Sequence, residues 1–240
     1  MSRHKQNKPK RIRNSSPHPV VGRRFRYGSS LSQRTRGMDK NQKFPFSPPE
    51  DWHEPQGEDT QGKSYRIVVQ SPGPGFRHVV TPEEIRERLA QLPEEMVAPL
   101  EVVQLSRMTR KKKSFPCYGM QWGSALYLYP IEEGMTEYYG RPPQPAQLNE
   151  AKMYGGRWSE NAPGEWALEW TEEAIKDFYL NNILIHELGH LLDDRNTSYI
   201  DRERYAEWFA IEHGYRRVNE SGAAPASRGK RKTVRRHHAS

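Results

Sequence analysis

Residues Asn182-Ile183-Leu184-Ile185-His186-Glu187-Leu188-Gly189-His190-Leu191-Leu192-Asp193-Asp194 decide how the chain is read. They set two histidines four residues apart on an apolar stretch that reads as a helix. At about 3.6 residues per turn the two lie ~40° apart, one turn above the other. Imidazoles so placed can grip one Zn²⁺ at ~2.0–2.1 Å each. Glu187, one step round the helix, can lie beside the metal and take a proton from a zinc-bound water. A catalytic zinc takes three protein ligands and keeps one position open, so a third ligand is expected elsewhere.

The stretch Glu203-Arg204-Tyr205-Ala206-Glu207-Trp208-Phe209-Ala210, starting thirteen residues after His190, supplies candidates. Glu203 and Glu207 share a helix face, with Ala206, Ala210 and His213 beside it, and Trp208 and Phe209 can anchor the helix to a core. Glu203 is the favoured ligand, closing a His₂Glu site; Glu207, Asp193 and His213 are the alternatives. Glu207 or Asp193 can instead hold a ligand imidazole by its other nitrogen. Cys117 is the single cysteine. It forms no intramolecular disulfide, and a closed, cysteine-rich structural zinc site is the weaker reading. Nothing in the sequence lowers its pKa, so a neutral thiol is expected rather than a nucleophile.

With His186-Glu187-Leu188-Gly189-His190 followed by Glu203 to Ala210, the chain resembles the gluzincin branch of the zincin metallopeptidases. The wording is most like the ImmA/IrrE-type and anthrax-lethal-factor-type members. The resemblance is specific over residues 183–213. It implies His186, His190 and Glu203 as zinc ligands and Glu187 as general base. It also implies a Tyr or His donor that steadies the oxyanion, for which Tyr199 is the first candidate and Tyr205 and His213 are rivals. In such a fold a strand on the cleft edge runs antiparallel to the substrate. Ala125–Tyr129 is the candidate strand and Trp166–Trp170 the alternate. A metzincin is excluded, because its third histidine would fall at Asn196.

Charge divides the 240 residues unevenly. The formal charge is +12 over residues 1–43 and +7 over 216–240, which leaves −11 of the total +8 for the body between them. Residues 1–60 are rich in Arg, Lys, Ser, Pro, Gly and Gln and read as a disordered basic tail; 217–240 read as a second. Basic runs at Lys8–Arg13 and Arg23–Tyr27, the second with Phe25 and Tyr27 interleaved, suit non-specific nucleic-acid binding. Phe44-Pro45-Phe46 and Trp52 are apolar exceptions expected to dock on the body. No stretch approaches the ~20 apolar residues of a membrane span, and no secretory signal is evident. A cytoplasmic monomer without membrane association is expected.

Between the tails, residues 61–216 read as one domain. Tyr65–Gln70, Leu100–Leu105, Ala125–Tyr129 and Glu165–Trp170 read as strands by β-branched and aromatic content. Ser71–Gly75 is a turn. Thr81, with Pro82 and Glu84, opens a helix to about Leu92 that buries Ile85, Leu89 and Leu92. Arg110–Lys113 reads as a solvated basic loop. Residues 133–163 read as a long irregular insert. Thr171 caps the long helix that carries Ile175, Tyr179, Asn182, His186 and His190 down one stripe. The expected fold is α+β: a zincin-like metallopeptidase domain with a small mixed sheet, an active-site helix and a Glu-bearing helix, flanked by the basic tails. The expected function is zinc-dependent hydrolysis of peptide bonds in a protein or peptide substrate. The alternative is an inactive zincin-fold module that binds nucleic acid or a protein partner through its tails.

Overall fold

The computed structural model describes residues 49–53, 65–114 and 117–216. The basic runs, Phe44–Phe46 and the C-terminal tail lie outside them.

The chain lays down β1 (Arg66–Val69), turns, and adds the short β2 (Phe76–Arg77). Gly73 and Gly75 make that turn with φ of 94° and 76°, values that favour glycine. Thr81 then caps α1 (Pro82–Leu89) with the reciprocal Thr81–Glu84 box that its sequence announces. Ile85 and Leu89 on its inner face are buried. After α2 (Glu94–Val97) come β3 (Val102–Leu105), α3 (Arg110–Ser114), β4 (Gly119–Trp122), β5 (Ala125–Leu128) and β6 (Ile131–Glu132). Then follow β7 (Thr136–Tyr139), α4 (Pro145–Met153), β8 (Arg157–Ala162) and β9 (Glu165–Glu169). The last third is helical: α5 (Glu172–Asp177), a π-helical stretch Phe178–Ile183, α6 (Leu184–Leu192), α7 (Tyr199–Ala210) and a second π-helical stretch Ile211–Arg216.

The architecture is α+β with small sheets. The main sheet is mixed, in the order β1-β3-β5-β4: the first three strands are parallel and β4 joins β5 antiparallel. A second sheet has the order β7-β9-β8, all antiparallel, and β2 pairs with β6. Side chains alternate across the main sheet as the period of two requires. Val103, Leu105, Leu126 and Leu128 pack against α1, the first π-helical stretch and α6 in the principal core. Each of these fully buried aliphatic residues contributes about 1.5–3 kcal/mol of transfer free energy. Val102, Ala125, Tyr127 and Tyr129 form a smaller apolar cluster on the other face. Pro49–His53 lies over that face, with the His53 N–H donating to the Tyr127 hydroxyl at 2.9 Å and its ring stacked on the Tyr127 ring.

Four expectations need correction. Residues 133–163 are not irregular; they contain β7, α4 and β8. The Gly, Pro and Tyr residues that suggested a loop sit largely between and on short antiparallel strands. Arg110–Lys113 is not a solvated loop but the body of α3, and Lys112 is buried. The long helix is not a single α-helical stripe, because Phe178–Ile183 takes the wider π turn. Trp52 is exposed, and its neighbours Asp51 and His53 make the docking contacts instead. Among the described residues no helix is long and apolar enough to cross a membrane.

Candidate metal centre

α6 is a buried helix whose Leu184, Ile185 and Leu188 are fully enclosed, and this holds the intervening His186 and Glu187 inside as well. Its partner α7 starts from Ser198, whose hydroxyl accepts the Asp201 N–H at 3.2 Å. The turn between them is drawn in by Asp193. One of its carboxylate oxygens accepts the Asn196 N–H at 3.2 Å and the Asn196 amide at 2.9 Å. Asp193 therefore shapes the turn that brings α7 back along α6. Arg202 donates to the His190 carbonyl at 2.9 Å and satisfies the carboxyl end of α6. Farther back, the buried Arg88 donates to the Asn181 side chain and to the His213 carbonyl, each at 2.5 Å, tying the two π-helical stretches together.

These elements bring His186, His190 and Glu203 to one point. His186 Nε2 is 3.7 Å from one Glu203 oxygen, and His190 Nε2 is 3.5 Å from the other. One ligand-type atom from each of the three lies within 4.8 Å of the others. The two rings are 4.7 Å apart at 80°. Burial holds His186 neutral, with its pKa lowered to about 3. Burial, then the neighbouring His186, lowers His190 to about 4. Both therefore keep a free nitrogen lone pair at neutral pH, as metal ligation requires, and Glu203 offers a carboxylate between them. This donor set fits zinc.

Glu187 is buried beside the three. Burial and the Glu203 charge push its pKa up to about 8, opposed by the Lys112 ammonium and by a hydrogen bond from the Gln121 main-chain N–H. A divalent cation held by the ligands would favour the ionised carboxylate. Behind the centre, Glu207 lies one turn beyond Glu203, its pKa raised by burial and by the Glu203 charge. Glu150 of α4 accepts the Asn182 amide at 2.7 Å, and burial raises it to about 7 despite that bond.

Tyr199 is the first residue of α7, four before Glu203 and so on the same side of the helix. Its rivals are engaged in packing. The Tyr205 ring lies among Trp208, Phe209 and the Arg195 guanidinium. The His213 ring lies 4.3 Å from that of Phe209.

Neither strand expected at the cleft edge occupies it. Ala125–Leu128 is interior, between β3 and β4, and Glu165–Glu169 is the middle strand of the second sheet. The edge beside Glu187 is β4. Tyr129 N–H bonds the Tyr118 carbonyl at 2.8 Å, and bonded pairs alternate along an antiparallel ladder. Met120 and Trp122 therefore bond β5, while the main-chain groups of Gly119 and Gln121 face outward, as the Gln121–Glu187 bond confirms. A side chain at Gly119 would collide with Glu187: a Cβ there would lie 2.7 Å from Oε1. Sequence reasoning passed over β4 because Gly119-Met120-Gln121-Trp122 has little β-branched content. It passed over Lys112 and Glu150 because charge alone suggests solvent. No family model, curated protein or solved structure matches the chain.

Proposed function

We propose that the chain is a zinc-dependent metallopeptidase of the zincin type that hydrolyses peptide bonds. The observation that carries this reading is the convergence of His186, His190 and Glu203 within 4.8 Å, with the Glu187 carboxyl buried next to them. His186, His190 and Glu203 would hold the metal. A zinc ion held there would supply Lewis acidity toward the attacking water and the scissile carbonyl. Glu187 takes the proton of the attacking water and delivers it to the leaving amine as the C–N bond breaks. Tyr199 donates a hydrogen bond to the developing oxyanion. The outward main-chain groups of Gly119 and the outward Gln121 carbonyl pair with an extended substrate, which adds as a further strand, while the Gln121 N–H stays on Glu187.

Glu187→Gln tests the reading, because it keeps volume and all three ligands while removing the base. The variant should hold zinc, bind substrate and lose ~10²–10⁴-fold in cleavage rate, measured on a peptide selected by library profiling with the parent protein. Equal cleavage by parent and variant would overturn the mechanism.

A further inference from the structure

Glu137 of β7 is 1% exposed, and one of its carboxylate oxygens accepts from two tyrosine hydroxyls. Tyr139 donates to it at 3.3 Å, and Tyr118 donates to the same oxygen. A carboxylate taken out of water is costly unless such donors meet it. Burial, then the Glu137 charge, pushes the Tyr118 pKa well above the usual phenol value, so its hydroxyl keeps the proton it donates.

Tyr118 is held in two further ways. Its ring stands edge-on to Phe178 at 5.2 Å and to Tyr179 at 5.8 Å, both in the first π-helical stretch. Its carbonyl accepts the Tyr129 N–H at 2.8 Å, and the Tyr129 carbonyl in turn accepts the Tyr179 hydroxyl at 2.6 Å. The residue fastened in this way immediately precedes Gly119, where β4 begins. β4 then meets the base at once. A Cβ at Gly119 would lie 2.7 Å from Glu187 Oε1, and the Gln121 main-chain N–H bonds the same side chain. Consecutive Cα atoms are held about 3.8 Å apart, so a shift of Tyr118 is passed to Gly119 and on to Glu187.

We propose that Glu137 is a positioning residue for the metal centre: by holding the Tyr118 hydroxyl it fixes the start of β4, and with it the place of the Glu187 carboxyl. The hold on β4 stands on these contacts alone; its effect on cleavage rests on the peptidase reading.

Hydrogen exchange of the full chain tests the hold without metal or substrate. The Gln121 amide is protected by Glu187, whereas the Met120 and Trp122 amides bond β5. Tyr118→Phe keeps the ring and removes the donor. Loss of a hydrogen bond to a charged group is worth roughly 10–100-fold, so the Gln121 amide should exchange faster by up to that factor. Met120 and Trp122 should exchange as in the parent. Tyr118→Phe/Glu137→Leu removes both partners, leaving neither buried without the other, and should show the same selective rise. The double variant decides should Tyr118→Phe fail to fold. Parent-like exchange at Gln121 would overturn the proposal. An equal rise at all three amides would overturn it too, because that marks a general loosening of the sheet. On a peptide that the parent cleaves, kcat of the variants should fall by a similar factor at unchanged zinc content; unchanged kcat would overturn the link to cleavage. A parent that cleaves no peptide would sink the peptidase reading, and exchange at Gln121 would still decide the hold.

Discussion

Gly189 lies directly under Phe209: a Cβ at Gly189 would come within 3.0 Å of the Phe209 Cβ and 3.1 Å of the Ala206 Cα. The glycine between the two histidines is therefore what lets α7 approach α6 closely enough to bring Glu203 to the imidazoles. Gly189→Ala gains about 1 kcal/mol in intrinsic helix propensity. It must also push a neighbouring backbone outward, and overpacking of this kind costs about 1–3 kcal/mol. The expected balance is a less stable protein with weaker zinc binding. Denaturant melts and competitive zinc titration measure both, and unchanged zinc affinity would refute the close-approach argument.

His186→Ala, His190→Ala and Glu203→Ala should each lose most of the bound metal. Glu207→Ala should keep it, since Glu207 stands one turn farther along α7. Metal analysis of the purified variants decides. A loaded Glu203→Ala protein beside a metal-free Glu207→Ala protein would reassign the third ligand.

Gly119→Ala isolates the base from the ligands. Its methyl group would displace the Glu187 carboxyl, 2.7 Å from the new Cβ, and press on the Ile183 side chain at 2.8 Å, while the nearest atoms it meets belong to none of His186, His190 and Glu203. Misplacement of a reacting group by about 1 Å costs on the order of 10²-fold in rate. The variant should therefore bind zinc as the parent does and cleave about a hundredfold more slowly. Normal kcat/KM would show that Glu187 has room to move.

Glu150 should make the protein less stable as pH rises. Its pKa is about 7 in the fold, against 4.5 for the free side chain, with burial the main cause and the Glu207 charge a further one. Between those values the unfolded chain holds fewer protons than the folded one, so stability falls as pH rises. The contribution is whole below about pH 4.5 and is lost as pH passes about 7, a change of ~1–3 kcal/mol once partial exposure is allowed for. Glu150→Gln keeps an acceptor for Asn182 and should flatten this slope. Urea unfolding at several pH values from 4.5 to 8 checks it.

Local chemistry made much of this legible from sequence. The Thr81–Glu84 box, the strands around Val103 and Leu126, and the spacing that sets His186 and His190 on one face of α6 each depend on residues a few positions apart. What escaped depends on distant partners. Lys112 is charged and sits in a basic run, so only the sheet face that α3 covers reveals its burial. Gly119-Met120-Gln121-Trp122 becomes the edge strand because β5 pairs with β3 on its other side, a choice made by topology. Met135 to Ala162 resisted reading because its strands are short and each is stabilised by cross-strand neighbours rather than by its own pattern.

The wide turn at Phe178–Ile183 carries a consequence for inheritance. It accommodates an additional residue within the helix, and one residue corresponds to ~100° of rotation about an α-helix axis. Because the wide turn absorbs that residue, deleting a single codon there would let the helix close into ordinary α-turns while His186, Glu187 and His190 kept their phase toward Glu203 and Gly119. A single-codon deletion between His186 and His190 has no such buffer and would break the four-residue spacing that sets the two imidazoles on one face. The stretch thus makes the centre tolerant of a frame-preserving loss upstream and leaves it intolerant of one inside α6.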